Sequence, residues 1–320
     1  MGAIQQRGEI LRREPGASTN YNFYGISVEV IAESKDLIHA LNHIFAHFMC
    51  GKEGKADLAV ELSGKKRYLT ASVRSGLKSF SFDTWPIALL TPSSSDGMRS
   101  YKVKSGLGFY ELLRTAYFTV FSFVLANLGD FLQFHAGAVA KGEAGIIFPG
   151  GSGSGKTTLV LALTRAGYSF LSDEVCLIDP SNLTVSSFPR SVFLGKDVID
   201  KFSDLKVGRN RGDIFITREK KCLIEIDKNS VYQERLPANI RYIVFPNYQP
   251  TEKTDLKEIT ENETIARLIA AGSVLNMTHL GADQGAVLDS IVEIVTSVPC
   301  FELVTSNLDG ALTVINNLMI

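Results

Sequence analysis

The sequence HAGAVAKGEAGIIFPGGSGSGKTTLVLALTRAGYSFLSDEVCLID, residues 135–179, decides the fold. At its centre, residues 150–157 satisfy the phosphate-binding pattern G-x-x-x-x-G-K-[ST] at every position. The apolar run 144–148 predicts a strand before the loop, and residues 158–166 predict a helix after it that stops at Gly167. A flexible Gly/Ser linker is not bracketed by a strand and a helix. The order of strand, glycine-rich loop and helix therefore favours a P-loop.

The residue types in the loop explain how it would hold phosphate. Its four glycines let the backbone take positive φ values and turn consecutive N–H groups toward one point, at which the following helix also aims its positive end. Lys156 is expected to bridge the β- and γ-phosphates of ATP, and the Thr157 hydroxyl is expected to ligate Mg²⁺. The predicted nucleotide-binding residues are Gly150, Gly151, Ser152, Gly153, Ser154, Gly155, Lys156, Thr157 and Thr158.

The entrance to the loop predicts an unusual sheet. Residues 134–140 read as a strand, and only residues 141–143 separate it from the strand 144–148. Two strands joined by so short a turn must be antiparallel, since a parallel crossover needs a dozen residues or more. An ordinary doubly wound nucleotide-binding sheet has a parallel neighbour at this place. The pattern points away from the Ras-like and transport-ATPase forms of the fold.

An acidic pair follows the loop at a spacing suited to phosphoryl transfer. Asp173 lies seventeen residues after Lys156, within the strand-like segment 169–178, and Glu174 is its neighbour. The strand after the helix is expected to lie close to the strand that enters the loop, so it brings its acid back to the phosphate loop. There the acid can ligate Mg²⁺ through water or accept the proton of an attacking hydroxyl. Asp227 also ends an apolar segment and competes weakly for this role.

These features resemble HPr kinase/phosphorylase, with His135 in a strand before a hairpin, the loop GGSGSGKTT, and the acidic pair at its spacing. The resemblance implies the atypical P-loop fold shared with phosphoenolpyruvate carboxykinase and an ATP- and Mg²⁺-dependent transfer to a serine of a small carrier protein. It implies that Asp173 is the general base, that Glu174 lies near the metal, and that His135 orients or tunes the base. Glu174 stands where that family has a second Asp, and Ala136 where it has Gly.

The whole-chain layout is similar to HPr-kinase-related proteins of bacterial gene clusters, which carry a small N-terminal domain before the kinase core. Some of these resemble kinases that phosphorylate a serine near the end of a ribosomally made precursor peptide. The resemblance therefore implies a serine-bearing protein or peptide as the partner and a kinase as the activity. Two alternatives stay open: a nucleotide-binding regulatory or scaffold protein without phosphotransfer, and a small-molecule kinase.

Composition is that of an ordinary globular protein. The 320 residues are 45% hydrophobic and 21% charged with a formal net charge of −1, so no general nucleic-acid-binding surface is expected. Four widely spaced cysteines suit reduced thiols in a cytoplasm. The N-terminus has no apolar core of signal-peptide length, and the apolar run 115–128 is shorter than the roughly 20 residues of a membrane span. A core helix and a cytoplasmic protein without membrane attachment are predicted.

The predicted fold class is α/β, with a P-loop domain of the phosphoenolpyruvate carboxykinase/HPr-kinase type and a mixed sheet, preceded by a small α+β domain. Residues 1–19 are predicted to form a mobile arm, 20–128 the N-terminal domain, and 129–320 the kinase domain. The N-terminal domain is expected to contain mostly antiparallel strands and to end in a long helix. Its expected elements are strands 21–31, 56–62, 66–73, 80–84 and 98–104, helices 35–49 and about 107–128, and a loop at 91–97. Homo-oligomer formation is left open.

Histidine and basic clusters offer two weaker hypotheses. His39, His43 and His47 recur at i, i+4 and i+8 on the first helix, which suggests a metal site or, more commonly, a solvated helix flank. Six basic residues within 206–221 suit a contact to phosphate or an acidic substrate segment, or equally a solvated basic loop. After residue 180 the expected elements are strands 183–188, 222–227, 241–245 and 301–304, and helices 191–202, 260–272, 285–298 and 308–318.

Overall fold

Two β-sheets follow one another along the chain, and helices cover them. The computed structural model describes residues 16–52, 54–63, 68–74, 76–78, 89–95, 97–105, 108–151, 153–195, 198, 202, 221–232, 237–278 and 283–320. Within these residues the protein is a mixed α/β structure, and both large sheets combine parallel and antiparallel pairs.

The N-terminal unit is a six-stranded sheet with two helices. Its strands are β1 (Ala17–Phe23), β2 (Ile26–Ala32), β3 (Leu58–Leu62), β4 (Tyr68–Arg74), β5 (Leu89–Ser95) and β6 (Met98–Lys104), in the order β1-β2-β3-β4-β6-β5. Its helices are α1 (Lys35–Ile44) and α2 (Phe109–Asn127). Only the β2–β3 pair is parallel, because α1 carries the chain back between these strands. The predicted mostly antiparallel unit ending in a long helix is confirmed.

The C-terminal unit is built on a nine-stranded sheet. Its strands and those of a small separate pair are β7 (Leu132–Phe134), β8 (Ala136–Lys141), β9 (Ala144–Pro149), β10 (Ser169–Ser172), β11 (Cys176–Asp179), β12 (Thr184–Ser186), β13 (Val192–Gly195), β14 (Lys221–Ile224), β15 (Ala238–Tyr248), β16 (Asp255–Glu258) and β17 (Cys300–Thr305). Its helices are α3 (Lys156–Arg165), α4 (Glu261–Ala270), α5 (Gln284–Ser297) and α6 (Leu308–Leu318).

The order of the large sheet places the glycine-rich loop near its centre. The path is β10-β8-β9-β15-β12-β11-β7, with β17 paired to both β15 and β16, while β13 and β14 pair only with each other. Strands β8 and β9 form an antiparallel hairpin, as the short 141–143 connection predicts. Strands β9, β15 and β17 are parallel to one another, so their carboxyl ends lie at one edge. Helices α3 and α6 cover one face, and α4 and α5 pack together on the other.

One hydrophobic core joins the two units. The cluster between the N-terminal sheet and its helices continues onto Val175, Leu177, Phe188 and Leu223 of the C-terminal unit. Helix α2 lies in this cluster. By length and composition it is the one helix in the described part of the chain that could cross a membrane, yet 67% of its most apolar window is buried inside the protein. The predicted core helix fits this burial.

Several predicted elements in the N-terminal unit are wrong in detail. The predicted strand 21–31 is the hairpin β1–β2, because Tyr24 and Gly25 take φ values of 54° and 89° and form a tight turn. Helix α1 ends at Ile44 rather than Met49, and a short 3₁₀ helix, Ala46–Phe48, follows. The predicted loop 91–97 is largely strand β5. This strand tolerates Pro92 because it lies at the sheet edge, at an irregularity between Leu90 and Ser93.

Three predicted elements in the C-terminal unit also differ. The strand 134–140 is interrupted at His135, and the strand 169–178 is interrupted at residues 173–175. Both breaks lie at the candidate site. The predicted helix 191–202 begins instead as strand β13, which pairs with β14. Strand β1 begins at Ala17, within the predicted arm, whereas the predicted strand 80–84 lies outside the described residues.

Candidate active site

The glycine-rich loop joins the end of β9 to the start of α3. Gly150, Gly153 and Gly155 have φ values of 156°, 85° and 89°, and a Cβ on Gly150 would lie 2.8 Å from Ser154 Oγ. These positions therefore require glycine. Gly151 is not in the left-handed region, contrary to the prediction for all four glycines. Ser152 lies outside the described residues.

Lys156 is the first residue of α3, and its side chain folds back over the loop. The residue is only 6% exposed, and Nζ donates hydrogen bonds to the carbonyl oxygens of Gly150 at 2.5 Å and Gly151 at 2.8 Å. Burial lowers the pKa of Lys156, while Glu174 and Asp173 act in the opposite direction. The two acids therefore favour the charged form of this amine. Thr157 and Thr158 lie half-buried in the same first turn.

A tight turn between β10 and β11 presents the acidic pair. Ser172 Oγ accepts hydrogen bonds from the backbone N–H groups of Glu174 and Val175, at 3.3 and 3.0 Å, and thereby stabilises the turn. Strand β10 pairs with β8, which is the strand beside the one that enters the loop. A Cβ on Gly137 of β8 would lie 3.8 Å from both Lys156 Cβ and the Ser172 carbonyl oxygen. The fold therefore brings the predicted acids to the predicted lysine.

The two acids have different surroundings. Asp173 is 4% exposed, and its Oδ1 has no hydrogen-bond partner among the described residues. Burial raises the pKa of Asp173 to about 6, although Arg190 acts to lower it. Burial alone would also raise the pKa of Glu174, but Arg190, His135 and Lys156 lower it below its usual value. Glu174 thus stays ionised, whereas Asp173 titrates close to neutrality.

Arg190 is the cation that interacts differently with the two acids. Its Nη2 donates to Glu174 Oε2 at 2.5 Å, whereas the distance from Nη2 to Asp173 Oδ1 is 3.6 Å. Arg190 lies between the predicted strand 183–188 and the predicted helix 191–202, and the sequence assigns it no role. The available signal was its place directly after Phe188 and Pro189, which follows no spacing rule that would link it to the loop.

His135 occupies the break between β7 and β8. Its backbone N–H donates to the Ser273 carbonyl at 2.6 Å, and its Nε2 lies 3.7 Å from Glu174 Oε1. Burial lowers the pKa of His135, which keeps the imidazole neutral at pH 7. The predicted role of His135, to orient or tune Asp173, stays a prediction, and in the structure its imidazole lies next to Glu174.

The histidine stripe on α1 lies at the boundary between the two units. His43 Nδ1 lies 3.1 Å from Glu225 Oε2, His43 Nε2 lies 3.2 Å from His39 Nε2, and His47 Nε2 bonds the Ile226 carbonyl at 3.0 Å. The structure thus supplies a carboxylate that was not visible near the stripe in sequence. Among the described residues, however, no group of three or more His, Cys, Asp or Glu side chains is arranged to hold a metal ion.

Two sequence candidates remain, Asp227 and the basic cluster. Asp227 is exposed, and its side chain accepts from the Asn229 N–H as the cap of a short 3₁₀ helix, Lys228–Ser230. The basic cluster within 206–221 lies outside the described residues except for the backbone of Lys221 in β14.

Comparison with protein-family models and with curated proteins finds no match to this sequence. The resemblance to HPr kinase/phosphorylase therefore stays an interpretation of the motif residues. The activity has to be argued from the geometry of the loop, the lysine and the acidic pair.

Proposed function

We propose that this protein is an ATP- and Mg²⁺-dependent kinase that transfers the γ-phosphate to a serine hydroxyl of a protein or peptide. One observation carries the proposal. The buried Asp173 carboxylate raises the pKa of the P-loop lysine, Lys156, and its Oδ1 has no hydrogen-bond partner among the described residues. A phosphate-binding loop alone would support only nucleotide binding. The adjacent carboxylate adds the group that an alcohol acceptor needs.

The loop residues fit a nucleotide triphosphate. Three glycines with φ between 85° and 156° give the loop a conformation in which backbone N–H groups can converge on an anion. The close approach of Ser154 Oγ to the missing Cβ of Gly150 means that any larger residue would distort this loop. Lys156 makes hydrogen bonds only to loop carbonyls in the described structure, and these bonds can be exchanged for stronger ones to phosphate oxygens.

Asp173 is proposed to act as the general base. The serine O–H bond breaks and its proton passes to an Asp173 oxygen, while the serine oxygen forms a bond to the γ-phosphorus. The bond from the γ-phosphorus to the bridging oxygen breaks, and ADP leaves. A base with a pKa of about 6 is ionised at neutral pH and still basic enough to share a proton in the transition state. Lys156 would stabilise the charge that develops on the phosphate oxygens.

The donor groups at the site decide whether it suits Mg²⁺. A magnesium ion bound with ATP usually takes only one or two protein ligands, so the absence of a three-residue cluster among the described residues is compatible with it. Thr157 with either Glu174 or Asp173 is the proposed pair of ligands, and an ionised Glu174 suits a hard cation. When bound, Mg²⁺ would neutralise charge on the β- and γ-phosphates.

The sheet order supports the finer fold assignment that we propose, the phosphoenolpyruvate carboxykinase/HPr-kinase type. The strand entering the loop, β9, has an antiparallel neighbour, β8, on one side and a parallel neighbour, β15, on the other. An ordinary doubly wound P-loop sheet lacks that antiparallel partner. We propose a cytoplasmic location, since ATP is the co-substrate and Cys176 and Cys300 are buried thiols.

The experiment is a transfer assay with γ-labelled ATP and Mg²⁺, in which candidate acceptors are offered side by side. The acceptors are serine-containing peptides encoded beside this gene, an HPr carrier protein and free serine. Label on a peptide or carrier that disappears in Asp173→Asn, while ATP still binds, supports the proposal. Label on free serine alone would make the protein a small-molecule kinase. ATP binding with every acceptor unlabelled would favour a regulatory nucleotide-binding protein and overturn the proposal.

A further inference from the structure

Two histidines on helix α1 bring the same ring nitrogen to one place. His39 and His43 lie about one turn apart, and their Nε2 atoms are separated by 3.2 Å. Their rings stand at 85° to each other, with centroids 4.5 Å apart. Because residues four apart on a helix share a face, the backbone of α1 itself holds the two imidazoles together.

The separation of these nitrogens is close to the one that a tetrahedral metal ion imposes on its ligands. Zinc lies about 2.0–2.1 Å from a histidine nitrogen, and two such bonds at the tetrahedral angle place the nitrogens about 3.3 Å apart. The 3.2 Å between His39 and His43 needs little adjustment to reach that value. An ion at this point would replace the proton of an imidazole–imidazole hydrogen bond, and His39 would then carry its proton on Nδ1.

Glu225 selects the ring form of His43 that can bind a metal. Its Oε2 lies 3.1 Å from His43 Nδ1. A carboxylate accepts from an N–H group, so the proton of the neutral imidazole lies on Nδ1 and the lone pair lies on Nε2. Metal-bound histidines commonly donate their second ring nitrogen to a carboxylate in this way, which fixes the ring and makes it a better ligand.

The surroundings of the pair allow a site that is completed by water. His39 is exposed and the side chain of His43 is 20% exposed, so solvent reaches this part of α1. His47 does not join the pair, since its Nε2 bonds the Ile226 carbonyl. Because no set of three protein ligands is found in the described part of the chain, the protein would supply two ligands and water the others.

We propose that His39 and His43 bind a divalent transition-metal ion such as Zn²⁺, and that Glu225 orients His43 for this purpose. Imidazole nitrogen suits zinc, copper and nickel, whereas Mg²⁺ prefers oxygen, so the ion differs in kind from the Mg²⁺ proposed at the P-loop. Glu225 directly follows β14 of the C-terminal unit, and α1 belongs to the N-terminal unit. The bound ion would therefore strengthen a contact between the two units. This inference does not depend on the proposed kinase activity.

The test is a calorimetric titration of the metal-stripped full chain with Zn²⁺, in excess Mg²⁺ to occupy oxygen-ligand sites. The wild type is expected to bind Zn²⁺ at this pair. Glu225→Gln should weaken the affinity by about 10-fold, the usual effect of removing the carboxylate behind a ligand. His39→Ala should weaken it further, because a ligand itself is lost. The matched control is His47→Gln, which removes the third histidine of the stripe and should leave the Zn²⁺ affinity unchanged.

His39 is the deciding position because it is exposed, so its replacement by Ala should leave the fold intact even if a His43 variant does not fold. Co²⁺ gives a second measurement, since its visible absorption strengthens in a tetrahedral site, and that increase should be lost in His39→Ala. Equal Zn²⁺ affinity in the wild type and His39→Ala would overturn the inference. So would a wild type that binds no Zn²⁺, which would leave the 3.2 Å contact as a hydrogen bond between two imidazoles.

Discussion

Gly137 in β8 lies directly against Val160 in α3, so closely that a Cβ at position 137 would be 2.6 Å from Val160 Cγ2. Real Cβ contacts are not this short, so the helix and the strand meet at a point where only glycine fits. Val160 lies one helical turn after Lys156, and Gly137 follows His135 by two residues. The packing of strand against helix therefore sets the distance between the lysine and the acidic turn.

Gly137→Ala is expected to push α3 away from β8 and to cost about 1–3 kcal/mol of stability, as overpacking does. Because Lys156 begins that helix, ATP affinity should fall as well. Calorimetric titration with ATP and urea denaturation measure the two effects.

The matched control is the double variant Gly137→Ala with Val160→Ala. Removing the two Val160 methyl groups makes room for the new Cβ, so the double variant should be more stable than the sum of the single effects predicts. Strict additivity of the two substitutions would contradict the packing argument.

Asp173 is expected to destabilise the fold at neutral pH. Its pKa rises from 3.8 to about 6 on burial, so the folded state holds the proton more tightly than the unfolded chain does. Stability associated with this group is therefore present below about pH 4 and is lost as the pH rises through about 6. Asp173→Asn should raise the melting temperature at pH 7.5, by an equivalent of ~3 kcal/mol, and by much less at pH 4.

Asp179 is a control in which ionisation should change stability in the opposite direction. Its carboxylate accepts hydrogen bonds from Ser181 and Asn182, and these bonds lower its pKa. Stability from Asp179 is thus present above its unfolded pKa and lost as the pH falls through its folded one. Asp179→Asn should lower the melting temperature slightly at pH 7.5. If both variants shifted in the same direction, ionisation would not be the cause.

The acidic limb of the pH profile of the transfer rate should follow the ionisation of Asp173. A general base must be deprotonated, so the rate at saturating ATP is expected to fall as the pH drops through about 6. His135 is a second titratable group beside the acidic pair, and burial lowers the pKa of its imidazole. His135→Gln separates the two groups, because the limb should persist in this variant when Asp173 is its source and vanish when His135 is.

Lys156→Met should weaken ATP binding by about 10- to 100-fold, the effect of losing charge-assisted hydrogen bonds to phosphate. Lys141→Met is the control, since Lys141 is an exposed lysine at the opposite end of β8 and lies over the Tyr168 ring. Tight ATP binding by Lys156→Met would exclude the loop as a triphosphate site.

The sequence was sufficient to predict the elements that depend on short-range sequence patterns. The hairpin before the loop follows from a three-residue connection, and the predicted helix 308–318 is α6, so both agree with the structure. The meeting of Asp173 and Lys156 also followed from their spacing and from the order of strand and helix.

Short-range sequence patterns failed to predict the structure where residues distant in sequence determine it. Residues 192–195 form a strand because β14 offers a partner, which no periodicity in that short segment reveals. Arg190 was given no role because its importance comes from three places in the chain, the acidic turn, Tyr117 and Phe193. Ion pairs between distant segments have no sequence spacing, so they become visible only once the fold is known.

Phe188 couples the two units, and its removal should uncouple their unfolding. Its backbone N–H donates to Leu171 O of the C-terminal sheet at 2.8 Å, but its ring lies 4.9 Å from that of Phe48 and 6.2 Å from that of Phe23 in the N-terminal unit. The shared core predicts that the wild type unfolds in one transition. Phe188→Ala should cost about 3–5 kcal/mol and split the calorimetric peak into two.

Phe170→Ala is the matched control for that split. Phe170 is as fully buried as Phe188 but packs within the core between the C-terminal sheet and helices α3 and α6. Its loss should therefore lower stability by a similar amount and keep a single calorimetric peak, because the shared core is untouched. A single peak in both variants would mean that the shared core does not depend on Phe188.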